Sequence, residues 1–229
     1  MSRLGLPRVH YEATDSTNER ARQLAASGAP HGTLVTAASQ SAGRGRQGRV
    51  WTAPAGSSLL CSVVLRETTV LLPLVVGVAA ADALVSLGYE PRLKWPNDVH
   101  IDGRKVAGIL IERRPSEGWA VAGIGINVAV RIADLPEELK ATAASLELDP
   151  AEVETVLGLL LSALKARLAE PDEVLLEAFR QRDALLGREI KWSGGVGVAA
   201  GIDSGGRLIV NSGRATVLLD AGEVHLGTV

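Results

Sequence analysis

The apolar stretch LLPLVVGVAAADALVSLG (residues 71–88) keeps its hydrophobic positions at helical spacing and predicts a buried helix. Pro73 is tolerated in the first turn of such a helix, and Gly88 suits its C-terminal cap. In DSTNERARQLAASG, Asp15 or Ser16 can cap a helix and Glu19 stands three residues beyond Ser16, as a capping box requires. That helix is expected to run to about Ala26. HGTLVTAASQ and SSLLCSVVLR read as strands, because β-branched and apolar residues dominate between turn signals. In PRLKWPNDVHIDGRKVAGILIE, Pro96 interrupts any strand and Asp102-Gly103 marks a tight hairpin turn. A second hairpin passes through Pro115 to Gly118 into WAVAGIGINVAV. PAEVETVLGLLLSALKARLAE and PDEVLLEAFRQRDALLG read as two helices opened by proline and acidic residues. After Gly187 the helical period disappears, and short strands separated by SGG, DSGG, NSG and DAG predict a small β-barrel-like unit over 188–229. The expected class is α+β.

Composition narrows the function. A chain of 229 residues that is 46% hydrophobic fits one large domain with a small appendage. No apolar run approaches the roughly 18 residues of a membrane span, and MSRLGLPRVHYEATDS lacks the apolar centre of a signal peptide. A cytoplasmic protein without membrane partners is expected. The single cysteine, Cys61, excludes an internal disulfide framework, and His10, His31, His100 and His225 lie too far apart for ligand spacing. A formal net charge of −2 argues against a general nucleic-acid binder, which needs a broad basic face.

Against that balance, GRGRQGRVW (43–51) concentrates Arg44, Arg46 and Arg49 among three glycines. It spells G-x-G-x-x-G, but no helix can open cleanly at the following Val50-Trp51-Thr52-Ala53-Pro54, so the dinucleotide reading is rejected. Ordering a glycine-rich loop is entropically unfavourable and its like charges repel, so an anion is the expected occupant. KWPNDV offers Lys94, Asn97 and Asp98 around a proline; from the residues alone it reads equally as a substrate-orienting turn or as an edge-strand bulge. Lys105 follows the Asp-Gly turn beside small residues that admit a ligand close to the backbone. GIGIN puts Gly123, Gly125 and Asn127 on one strand face and Ile124, Ile126 and Val128 on the other. The hairpin loop leaves the register open, so spacing alone does not say whether Lys105 shares the glycine face.

With DSTN, GRGRQGRVW, KWPNDV, KVAGIL and GIGINV in this order, the chain resembles the biotin protein ligase family from His10 to about Val130. The resemblance implies a mixed or antiparallel sheet with helices on one face, like a class II synthetase, over 1–187, and a small SH3-like β-barrel over 188–229. It implies a two-step reaction in which biotin and MgATP give biotinyl-5′-AMP, and a lysine of a biotin carboxyl carrier protein then takes the biotin. Residue by residue, it places Ser16, Thr17, Asn18, Gln40, Gly43, Arg44, Gly45, Arg46, Lys105, Gly108 and Gly123 around biotin. Arg46, Arg49, Trp51, Asn97, Asp98, Lys105 and Asn127 fall on the nucleotide side, with Asp98 as a contact to the Mg²⁺ that accompanies ATP. Lys105, Arg44 and Arg46 would be catalytic, stabilising carboxylate and phosphate charge. Because DSTN begins at residue 15, no preceding helix-turn-helix is accommodated, and a ligase without repressor activity or nucleic-acid partner is expected, as monomer or homodimer. GEVHLGTV lacks the terminal basic residue of some relatives, so no catalytic role is transferred there. The alternative within the fold is a lipoate or octanoate ligase; outside it, a nucleic-acid module using Arg44, Arg46 and Arg49.

Overall fold

The computed structural model describes residues 4–66, 69–213, 215–220, 222 and 224–226. The chain runs β1 (Arg8–Thr14), α1 (Thr17–Ala26), β2 (Leu34–Gln40), β3 (Ser58–Leu65), α2 (Leu72–Val85), β4 (Arg92–Lys94), β5 (Asp98–Ile101), β6 (Arg104–Arg114), β7 (Trp119–Asn127), α3 (Glu137–Lys140), α4 (Val153–Leu168) and α5 (Asp172–Arg180). It ends in β8 (Glu189–Trp192), β9 (Gly195–Ile202), β10 (Leu208–Ser212), β11 (Ala215–Leu219) and β12 (His225–Leu226). A seven-stranded mixed sheet has the order β1-β2-β3-β7-β6-β5-β4, parallel between β1 and β2 and antiparallel elsewhere. The second sheet is antiparallel in the order β11-β10-β9-β8-β12. Its end strands β11 and β12 do not pair among the described residues.

Period-2 alternation explains the layers. Leu59, Cys61, Val63 and Leu65 of β3 and Ala120, Ala122, Ile124 and Ile126 of β7 face a core filled by α2, α4 and α5. Helix α2 is apolar on all sides because it is covered by the sheet, α4 and α5 together. The expected helical layer on one face is thus present. A single helix, α1, adds to it on the opposite face, where Ala21 and Ala25 meet Val35, Val64, Trp119 and Val121. The second sheet shares the main core through Ile190, Ala199, Ile202, Leu208 and Val210, and Trp95 Nε1 donates to the Gly206 carbonyl at 2.9 Å.

Three local readings change. Strand β1 was not expected, although Val9, Tyr11 and Ala13 alternate with Arg8, His10 and Glu12; it lies at the sheet edge, where only Thr14 is buried. Ser16 stands at the N-cap of α1 without a side-chain capping bond, and Glu19 holds Arg22 at 3.0 Å, so the capping box does not form. Helix α5 stops at Arg180, short of the expected Gly187. The chain beyond it turns to extend the sheet, with Leu93 N–H donating to the Arg182 carbonyl and Ala184 N–H to the Leu93 carbonyl. In the C-terminal GEVHLGTV, Glu223 and residues 227–229 lie outside the described residues.

Candidate active site

The register of β3, β7 and β6 builds a floor. Leu60 and Ser62 pair with Gly125 and Gly123, which pair in turn with Gly108 and Leu110, so these six share one sheet face. The glycines leave backbone at the surface, as expected, but it is not bare. A Cβ on Gly123 would overlap Asn18 Oδ1, one on Gly125 would lie 2.6 Å from Trp51 Cε2, and one on Gly108 would lie 2.9 Å from Trp51 Cζ3. Asn18 of α1 and the indole of Trp51 rest directly on the sheet.

The register also answers the question left open for Lys105. Val99 pairs with Ala107, yet His100 pairs with Lys105, so Val106 is an extra residue in β6. The bulge buries both Val106 and Ala107 in the core and turns Lys105 back onto the glycine face. Lys105 Nζ comes within 2.7 Å of Asp98 Oδ1, as an ion pair without the alignment of a hydrogen bond, and lies 5.6 Å from the Trp51 ring centroid. Its backbone is clamped by the segment after α3: Lys105 N–H donates to the Thr142 carbonyl and Ala144 N–H to the Lys105 carbonyl, both at 2.7 Å. Asn127 secures the same segment, donating from Nδ2 to the Ala144 carbonyl at 2.9 Å. Asn97 spans the proline interruption, donating to the Ile109 carbonyl at 2.9 Å and accepting from Arg46 Nη1 at 3.2 Å.

The Gly-Arg loop folds as a narrow turn. Gly45 N–H donates to the Arg49 carbonyl at 2.7 Å and Trp51 N–H to the Gly43 carbonyl at 3.0 Å, with Gln47 and Gly48 at φ of 54° and 77°. The expectation that these arginines require an external anion is corrected for Arg44. The chain supplies two carboxylates of its own, Glu19 at 3.4 Å and Glu112 at 3.6 Å, which Arg22 shares.

These elements enclose a cavity of about 530 Å³. Of the expected site residues, Ser16, Thr17, Asn18, Gln40, Arg44, Gly45, Arg46, Arg49, Trp51, Asn97, Asp98, Lys105, Gly108, Gly123 and Asn127 all line it. Gly43 does not. A Cβ there would overlap the Trp51 carbonyl oxygen, so Gly43 lets the loop close. Lys94, noted in KWPNDV, lines it too, and the wall missed from the sequence includes His100, Thr142 and, from the second sheet, His225 and Leu226. His100 Nδ1 lies 3.1 Å from the Gly103 carbonyl, which can only accept, so Nδ1 carries the proton. Burial pushes the His100 imidazole below its ordinary pKa; Lys94 and Lys105 act in the same direction and Asp98 against it. Ser62 and Glu112 were also missed. Ser62 had a signal, as a polar residue inside an otherwise apolar strand; it is fully buried and hydrogen-bonds to both Thr17 and Asn18.

The model of the biotin/lipoate A/B protein ligase family matches residues 11–129. The biotin–[acetyl-CoA-carboxylase] ligase of Mycobacterium tuberculosis is 37% identical, over 93% of this chain and 86% of its own length. This chain belongs to the biotin/lipoate A/B protein ligase family. The biotin protein ligase of Aquifex aeolicus, solved in complex with biotin and ATP, superposes with a TM-score of 0.81 at 30% identity, covering 97% of this chain and 99% of that one. The bifunctional ligase/repressor of Bacillus subtilis is 39% identical over 62% of this chain, and the match spans about half (47%) of that relative. As a member of this ligase family the chain brings together two unlike walls. One is a neutral polar row from α1 and β2; the other carries Lys105, Arg46 and Lys94 beside the Asn97-Asp98 turn. Among the described residues no three His, Cys, Asp or Glu side chains gather as a metal site, and no helix is long and apolar enough to cross a membrane.

Proposed function

We propose that the chain is an AMP-forming biotin protein ligase, and the observation that carries this is the position of Lys105. It stands on the glycine face between the polar row and the Asn97-Asp98 turn, where an acid held by one wall meets a phosphate held by the other. In the first step a carboxylate oxygen of biotin attacks the α-phosphorus of ATP, and the bond to the β-phosphate breaks to release pyrophosphate. In the second, the amine of a carrier lysine attacks the acyl carbon, its bond to AMP breaks, and the amine loses a proton.

Neither step needs a protein nucleophile. Cys61 is fully buried, and that burial pushes its thiol pKa up to about 12. The protein's work is positioning and charge stabilisation. Lys105 and Arg46 meet the charge developing between carboxylate and phosphate, Trp51 and Asn127 bound the nucleotide side, and Thr17, Asn18 and Gln40 hold the other end. A divalent cation fits only as a companion of ATP, since the donor set offers one carboxylate, Asp98, which Lys105 already neutralises. Residues 188–229 are read as a small C-terminal unit that completes the cavity rim. The acceptor is a biotin carboxyl carrier domain, and the near-neutral net charge supports a partner other than nucleic acid.

ATP–pyrophosphate exchange tests this reading. Exchange stimulated by biotin supports it; exchange stimulated by lipoate or octanoate instead transfers the chain to the other branch of the family.

A further inference from the structure

Five side chains form one continuous row along the polar wall. Asn18 Nδ2 lies 2.9 Å from Glu112 Oε2 and 3.4 Å from the Leu110 carbonyl. Both of those only accept, so this end of the Asn18 amide is its nitrogen and its oxygen faces Ser62 Oγ, at 2.6 Å. Ser62 Oγ lies 2.8 Å from Thr17 Oγ1, which lies 3.0 Å from Gln40 Oε1. Thr17 N–H donates to that same Gln40 oxygen at 2.7 Å, which fixes the orientation of the Gln40 amide as well.

Counting protons gives the row a direction. The contacts Asn18–Ser62, Ser62–Thr17 and Thr17–Gln40 call for three hydroxyl protons, and two hydroxyls can supply only two. With the Asn18 oxygen turned inward, Ser62 must donate to it. The single Thr17 proton then serves either Ser62 or Gln40, and an acceptor lone pair is left over in a row whose Thr17, Asn18 and Gln40 line the cavity. Thr17 N–H already serves Gln40 Oε1, so every atom of the row keeps a hydrogen bond, and the leftover lone pair on Gln40 or Thr17 is open to a ligand that brings a donor.

We propose that Glu112 is a positioning residue that, through Asn18 and Ser62, makes this wall a hydrogen-bond acceptor and so selects a ligand carrying an N–H, such as a cyclic urea. The proposal rests on the biotin reading and assigns the source of its polarity. Glu112 acts through Asn18, because a carboxylate holds the amide nitrogen outward. Arg22 at 3.4 Å and Arg44 at 3.6 Å hold the Glu112 carboxylate in place. An amide at position 112 can donate, which lets Asn18 turn over, send its nitrogen to Ser62 and fill the spare lone pair from within the protein.

The test titrates biotin, and a carbamate analogue with oxygen in place of one urea N–H, into wild type, Glu112→Gln and Ser62→Ala, with thermal melts and KM for ATP measured alongside. Wild type is expected to prefer biotin by about tenfold or more, as for one buried hydrogen bond. In Glu112→Gln that preference should shrink to about threefold or less, whereas Ser62→Ala, which takes a donor out of the row and adds none, should keep it; KM for ATP stays within about twofold in both, because only the acid side changes. A preference that persists in folded Glu112→Gln overturns the inference and leaves the biotin reading standing. If wild type binds neither compound, the biotin reading falls, and the inference with it.

Discussion

Lys105 Nζ and Asp98 Oδ1 stand 2.7 Å apart because β6 carries one residue more than β5 at Val106. Without that bulge, strict alternation would put Lys105 on the core face with Ala107 and Ile109. The cation proposed for catalysis therefore depends on a break in strand pairing, at a place where the sheet also gains small residues. Bulges that re-aim a side chain beside a functional site are a recurrent use of this irregularity.

Lys105→Ala is expected to slow adenylate formation by about 10²-fold or more, as loss of an electrostatic stabiliser of the transition state does. Thermal stability should change little, since the strand is held there by backbone hydrogen bonds to Thr142 and Ala144. Rapid-quench measurement of a single turnover checks this, and an unchanged rate would remove Lys105 from the chemistry.

Arg46 sits in the Gly-Arg loop and reaches across to Asn97 Oδ1 at 3.2 Å. Arg46→Ala should let the adenylate leave the site faster than in wild type while binding of free biotin is largely kept, because the contact ties the loop to the nucleotide side. Release of labelled intermediate through a spin filter reads this directly; normal retention would show that the loop does not close the site.

Gly125→Ala places a methyl group 2.6 Å from the Trp51 ring. Trp51 is expected to leave the sheet, with a loss of about 1–3 kcal/mol as for overpacking elsewhere and a change in indole fluorescence that is absent when Trp51 is already Phe. Equal denaturation midpoints for wild type and variant would contradict the packing of Trp51 on the glycine face.

Glu154 of α4 takes two hydrogen bonds from the Arg8 guanidinium of β1, at 2.6 and 2.7 Å. The Arg8 bond holds its carboxyl below the ordinary value of 4.5, against a smaller opposing effect of burial. A carboxyl depressed in the folded state contributes stability that is full above that ordinary value and is lost as pH falls through the lowered one. With the Glu154 side chain 63% exposed, the contribution is about 1 kcal/mol or less. The stability gap between wild type and Glu154→Gln should accordingly be present near neutrality and vanish in acid; a gap that widens on acidification would reverse the sign.

Turn chemistry and alternation carried much of this site in readable form. Asp102-Gly103 marked the β5–β6 turn, where both residues have positive φ, and GIGIN announced a strand with one face of glycine. Every expected site residue but Gly43 lines the cavity. What could not be read depends on pairing between distant segments. The bulge at Val106 has no local signal, because Val-Ala-Gly-Ile alternates acceptably in either register. For strand β1 the alternation of Val9, Tyr11 and Ala13 with polar residues was there to be read, and only its parallel pairing with β2 was not. The carboxylates on Arg44 come from α1 and β6, and His225 reaches the cavity only through the docking of the second sheet. The expectation of an external anion fell short at Arg44 for the same reason: the loop was weighed alone, without the elements that fold against it.

The most direct measurement is the intact mass of a biotin carboxyl carrier domain after incubation with this chain, MgATP and, in separate reactions, biotin, lipoate or octanoate. Addition of one biotinyl group to the acceptor lysine with biotin alone, abolished by Lys105→Ala, is the predicted result. Lipoyl or octanoyl transfer, or no transfer with biotin, would contradict it.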